Sequence, residues 1–205
     1  FMLLVALTGN YGMGKSTVLQ MFRKLGVVTL DSDSIVESLL GEQDVIEKIQ
    51  KLFGDEIFNK NGSLNRSKIS DIIFKSDVLR SSLEDILHPL VFERIKGFLD
   101  GMNEKNKIVV IEVPILYERG YEDRFDRTIV VYSDEESALN RLEKDGINRG
   151  EAVLRLKAQL PVEGKITKAD FIIDNSRTIE ETMAQVETVY KKLLEEAKDG
   201  NNQRS

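Results

Sequence analysis

Gly9-Asn10-Tyr11-Gly12-Met13-Gly14-Lys15-Ser16 is the segment of this chain whose residue types and spacing most plainly suit a reaction. A loop of the form G-x-x-x-x-G-K-S turns its backbone N–H groups inward around phosphate oxygens, and the helix it opens adds partial positive charge. Lys15 would reach the β- and γ-phosphates of ATP, the Ser16 hydroxyl would sit on Mg²⁺, and Asn10, Tyr11, Gly12, Met13, Gly14 and Thr17 would complete the wrap. Chance yields such a pattern in roughly one chain of this length in a hundred. The apolar run Leu3 to Leu7 before it and the helical pattern Lys15 to Leu25 after it make chance a still poorer account. The expectation is an ATP-using phosphotransferase.

Other groups could serve that chemistry. Asp31-Ser32-Asp33 closes the second apolar run, at the edge of an α/β sheet where ligands bind, and in extended chain residues two apart point the same way. Asp33 reads as a base that accepts the proton of an attacking hydroxyl, or as a helix N-cap. Glu112 follows Ile108 to Ile111 and reads either as an acid near the metal's water shell or as a structural residue. His88 is the single histidine, ahead of Pro89, and a lone histidine is commonly structural. Arg141, Arg149, Arg155 and Lys165 stand between the last two apolar runs, as cations that a mobile lid could bring onto phosphates or as a solvated face; Arg141 comes soonest after its strand.

These groups need a frame. Leu3 to Leu7, Val27 to Leu30, Ile108 to Val113, Thr128 to Tyr132 and Phe171 to Ile173 are continuous apolar runs, the mark of strands covered on both faces. Alternating with helical patterns, they imply a doubly wound α/β core with five parallel strands. Thr178-x-x-Glu181 and Ser133-x-x-Glu136 read as capping boxes, the former opening an amphipathic C-terminal helix. The long stretch between the second and third runs exceeds what a crossover needs, so a mostly helical insertion is expected. Within it, Asn59 to Ser63 reads as an exposed turn and Leu79 to Leu99 as a helix interrupted near Pro89.

The chain has 205 residues, enough for one domain with insertions, and its 29 Lys+Arg against 35 Asp+Glu leave a net charge of -6. An acidic surface without a basic–aromatic stripe argues against a nucleic-acid partner. With no cysteine there is neither a disulfide framework nor a thiolate metal site, and no run approaches a bilayer's thickness. The expectation is a cytoplasmic protein without a membrane partner, monomeric or weakly homo-oligomeric.

Along nearly its whole length the sequence resembles the dephospho-CoA kinase family. The resemblance is carried by Ala6-Leu7-Thr8 ahead of the loop, Leu25-Gly26 followed by Leu30-Asp31-Ser32-Asp33, Phe53-Gly54, Asn61 to Arg66, Leu87-His88-Pro89, Val113 to Glu118, and Gln159, Lys165 and Ala169 to Asn175. It implies a P-loop kinase core at about 1–32, 106–138 and 168–199, a helical acceptor-binding insertion at 33–105 and a small lid at 139–167. It further implies transfer of the γ-phosphate of ATP, with Mg²⁺, to the 3′-hydroxyl of dephospho-CoA. Asp33, Lys15 and Arg141 would be catalytic; Thr8, Asp31, Asp33, His88, Pro114 and Leu116 would line the acceptor side; Asn175 would join the ATP site. Two departures stand out: Met13 replaces a small residue, and Arg141 to Gly146 lacks a second lid arginine, for which Lys144 offers no bidentate fork.

Two rivals share the loop. A nucleoside or nucleoside-monophosphate kinase would differ in its acceptor pocket, against which the D-x-D and His-Pro elements argue. A GTPase-like switch would need N-K-x-D and D-x-x-G elements, which the chain lacks.

Overall fold

The computed structural model describes residues 2–102, 107–157 and 159–202. In chain order its elements are β1 (Leu3–Thr8), α1 (Lys15–Lys24), β2 (Val28–Asp31), α2 (Ser32–Leu39), α3 (Gln43–Phe53), α4 (Arg66–Lys75), α5 (Asp77–Asp100), β3 (Ile108–Glu112), β4 (Arg127–Tyr132), α6 (Glu135–Lys144), α7 (Arg149–Lys157), α8 (Val162–Ile166), β5 (Phe171–Asp174) and α9 (Ile179–Asn202). They form two compact units, one of residues 1–31 and 103–205, the other of 32–102. The expected boundary between insertion and core at 105–106 lies outside the described residues.

In the first unit the five apolar runs become one parallel sheet in the order β2-β3-β1-β4-β5. The central strands β1, β3 and β4 are buried almost throughout, whereas the edge strands β2 and β5 are largely half-buried. Side chains alternate across the sheet. Leu3, Val5, Leu7, Val110, Ile129 and Val131 pack with Val18, Leu19 and Phe22 of α1 and Val186, Val189 and Leu193 of α9. Each such side chain, fully buried, contributes about 1.5–3 kcal/mol. α9 starts on the expected capping box: the Glu181 amide donates to Thr178 Oγ1, and the Thr178 amide donates back to Glu181 Oε2.

The second unit is helical. Val45, Ile49, Ile57, Ile69, Leu83 and Leu87 form its core, and Asn59 to Ser63 is the exposed turn expected, closed by a bridge between Phe58 and Leu64. The expected break at Pro89 does not occur, and α5 runs unbroken through it for 24 residues. Proline inside a helix costs about 3 kcal/mol. Here the buried stripe Leu83, Leu87, Val91 and Ile95 straddles it at four-residue spacing, so packing on both sides outweighs the local penalty.

α6 corrects a second local reading. Its N-cap is Asp134, not Ser133: Asp134 accepts from the Ser137 amide at 2.8 Å and from the Ser137 hydroxyl at 2.6 Å. An ionised carboxylate spreads the two donors over its two oxygens and holds each more strongly than a neutral hydroxyl would. These hydrogen bonds hold the Asp134 carboxyl below its ordinary range. Such a group stabilises the fold above its unfolded-state titration range, and that contribution disappears as pH falls through its lowered folded value. Asp134→Ala should therefore lower the thermal midpoint by a few degrees at neutral pH, and the gap to wild type should close on acidification below the ordinary carboxylate range. A gap independent of pH in a thermal-melt series would contradict this.

Candidate active site

β1 ends at Thr8 and α1 begins at Lys15, so the loop between them sits at the carboxyl edge of the sheet, against the N-terminus of a helix. Two glycines are dictated by geometry. Gly9 lies at φ 151, and a Cβ there would collide with the backbone carbonyl of Val131. Gly14 lies at φ 88, and a Cβ would strike the Asn175 amide.

Lys15 folds back over the loop, its Nζ donating to the Asn10 carbonyl at 3.4 Å and lying 3.9 Å from Glu112 Oε1. Strand register explains the carboxylates. Leu7, Glu112 and Asp31 are Cα partners across β1, β3 and β2, so Glu112 and Asp31 stand side by side at the sheet's carboxyl edge. Glu112 is buried, Asp31 half-buried, and Ser16 and Thr17 are exposed on the first turn of α1. An ion shared between a nucleotide and Ser16 would fit this arrangement, with Glu112 near enough in the fold to act through water. Among the described residues no group of three or more His, Cys, Asp or Glu forms a metal site by itself, so such an ion would take its other ligands from phosphate and water.

Asn175 and Arg141 brace the loop. The Asn175 side chain donates to the Met13 carbonyl at 3.0 Å and accepts from Thr182 Oγ1 at 3.0 Å, so both ends of the amide are committed. Arg141 donates to the Gly12 carbonyl, to Ser133 Oγ and to the Asn175 carbonyl. Ser133, released from capping, thus becomes an anchor for this guanidinium. Arg141 belongs to α6, which starts at Glu135 and already packs beside the loop.

Arg149, Lys165 and Arg155, further cations between β4 and β5, are also engaged. Arg149 pairs with Glu136 and Glu143. Lys165 is fully buried on α8, 2.6 Å from Glu118 Oε1, close enough to pair but not aligned as a hydrogen bond. Lys144 is exposed. Arg155 lies over the Tyr11 ring, 5.3 Å from its centroid, and donates to its hydroxyl at 3.0 Å. Gln159 Oε1 accepts from the Tyr11 amide at 2.6 Å, and Asn10 Nδ2 donates to the Leu160 carbonyl. These contacts to Tyr11 and Asn10 were not foreseen, because the variable positions of a G-x-x-x-x-G-K-S loop carry no pattern. Beside them a cavity of about 510 Å³ opens, lined among others by Asn10, Met13, Ser133, Asp134, Lys157 and Gln159.

On the other side of Lys15, Thr8 Oγ1 donates to the Pro114 carbonyl at 3.3 Å. Pro114 is half-buried, and Leu116 and Thr8 are both fully buried. Tyr117 donates to Thr128 Oγ1, which in turn donates to Asp170 Oδ2; burial raises the Tyr117 phenol above its ordinary range, and the bond to Thr128 opposes that rise. Asp33 and His88 belong to the second unit. Asp33 is exposed in the first turn of α2, which begins at Ser32, so it is a first-turn acid and not the cap. His88 is half-buried on α5.

The dephospho-CoA kinase family profile matches residues 3–181 of this chain. The chain belongs to the dephospho-CoA kinase family. This kinase is 38% identical to a dephospho-CoA kinase of Aquifex aeolicus over 190 residues, covering 92% of this chain and 96% of the relative. A solved Thermus thermophilus protein, 27% identical, superposes with a TM-score of 0.82 over 94% of this chain and 98% of its own. The solved dephospho-CoA kinase from Campylobacter jejuni, 26% identical, gives 0.67 over 93% and 96%. Among its described residues no helix is long and apolar enough to cross a membrane.

Proposed function

We propose that this kinase transfers the γ-phosphoryl group of ATP to the 3′-hydroxyl of dephospho-CoA, giving coenzyme A and ADP. The observation that carries the phosphoryl-transfer half is Lys15, held over the loop between the Asn10 carbonyl and Glu112. Family membership supports the acceptor.

In this reading the loop amides and Lys15 hold the phosphates and take up charge as the γ-phosphoryl leaves ADP in a loose transition state. The cavity beside Met13 and Ser133 receives the nucleoside. Ser16, and Glu112 through water, would hold a Mg²⁺ arriving with ATP, which would supply neutralisation of the phosphate charge. Asp33 orients the acceptor hydroxyl and takes its proton as the new P–O bond forms. Thr8, Asp31, His88, Pro114 and Leu116 line the acceptor side. Arg141 and Asn175 act from the loop's flank, fixing its shape for the nucleotide, and 139–167 serves as the lid that excludes water. The protein is cytoplasmic in this reading, without nucleic-acid or membrane partners, and monomeric or weakly associated.

A coupled ADP-release assay with Mg-ATP tests the assignment, comparing dephospho-CoA, adenosine, AMP and no acceptor. Release should require dephospho-CoA. Release driven by AMP or adenosine would reassign the acceptor, and equal release without acceptor would leave only a nucleotide hydrolase.

A further inference from the structure

Tyr11 occupies a loop position where phosphate binding asks nothing of the side chain, yet its ring, hydroxyl and backbone amide are all engaged. Arg155 of α7 stacks on its ring and bonds its hydroxyl, and Gln159 accepts from its backbone amide. The ring also packs into a small apolar cluster with Leu139, Leu142, Ala152 and Leu156. Asn10, next to it, reaches the Leu160 carbonyl, so two consecutive loop residues are fastened to one segment. Arg155 keeps its proton firmly: burial works against the charge, but Tyr11 and Glu151 outweigh it. Guanidinium on an aromatic face combines attraction to the ring with a directed hydrogen bond, which lysine cannot reproduce in one geometry.

We propose that Arg155 and Gln159 are positioning residues that latch the α7 segment to Tyr11, and that this latch sets the affinity for nucleotide without touching the acceptor side. The inference rests on the reading of the loop as the nucleotide site. Its physical basis is preorganisation: a loop already held in shape loses less freedom when phosphate arrives. The same segment lines the 510 Å³ cavity through Leu156, Lys157 and Gln159, so releasing Tyr11 would also loosen that wall.

A double-mutant cycle tests it. Tyr11→Phe keeps the ring and deletes only the hydroxyl bond, Arg155→Leu removes the guanidinium, and Arg155→Lys restores the charge without the fork. MgADP affinity by calorimetry should weaken about tenfold in Arg155→Leu and about threefold in Tyr11→Phe. The double variant should be no weaker than Arg155→Leu alone, and Arg155→Lys should recover only part of the loss. KM for ATP should rise in parallel while KM for dephospho-CoA stays within twofold, a split that general loss of folding would not produce. Losses that add in the double variant, unchanged MgADP affinity, or equal shifts in both KM values would each overturn the latch while leaving the nucleotide site intact. A wild-type protein that binds no MgADP would overturn both.

Discussion

Asp33→Asn should lower kcat by about two to four orders of magnitude and leave MgADP affinity within twofold of wild type. The substitution keeps size and one hydrogen-bond acceptor, so the acceptor hydroxyl can still be oriented; what it removes is a place for the proton. Asp33 is suited to this comparison because it is exposed in the first turn of α2 and holds no place in the second unit's apolar core. A first-turn acid interacts favourably with the helix N-terminus by about 0.3–1 kcal/mol at a surface site, so the variant's thermal melt is measured beside its turnover. A variant with kcat lowered a thousandfold and an unchanged melt would therefore report on chemistry. Turnover within threefold of wild type, in the steady-state assay with saturating dephospho-CoA, would remove Asp33 from the role of base.

The sequence made the sheet legible because each strand is a short, continuous apolar run, and burial on both faces leaves no other economical arrangement for such runs. Even the edge strands β2 and β5 kept that signature, since their neighbours demand one good face. The loop was legible for a different reason: glycine at Gly9 and Gly14 is the only residue that the backbone path permits. What misled was local chemistry read without its surroundings. Pro89 carries a strong breaker signal, and only the buried stripe from Leu83 to Ile95 overrides it. Ser133 looks like a cap until its neighbour Asp134 takes the Ser137 donors and leaves the serine to Arg141. Arginines in the stretch after β4 look like solvated or lid cations because nothing in their spacing names a partner. Arg141 and Arg155 find theirs across the fold, at Gly12 and Tyr11. Side-chain pairs between segments far apart in sequence are set by tertiary packing, which periodicity does not encode.

The buried pair of Lys165 and Glu118 is the strongest instance, and breaking it from either side should be costly. Lysine is almost never fully buried unless paired, yet Lys165 has 0% exposure and its Glu118 partner 18%. Glu118→Leu strands an ammonium with no access to water, at a cost of about 3–5 kcal/mol. Set against a total stability of roughly 5–15 kcal/mol, that is enough to shift the denaturation midpoint far or unfold the chain at physiological temperature. Lys165→Met leaves instead a carboxylate whose two oxygens are both shut off from water, so its loss should be of the same order. Taking both charges out of water costs several kcal/mol per ion, which the attraction within the pair offsets only in part. Replacing both partners, as Glu118→Leu with Lys165→Met, should accordingly recover most of the stability lost in Glu118→Leu alone. Urea denaturation of the four proteins would decide it. A small loss in either single variant would mean that water reaches the stranded charge, and a double variant less stable than either single one would mean that the charges are net stabilising where they stand.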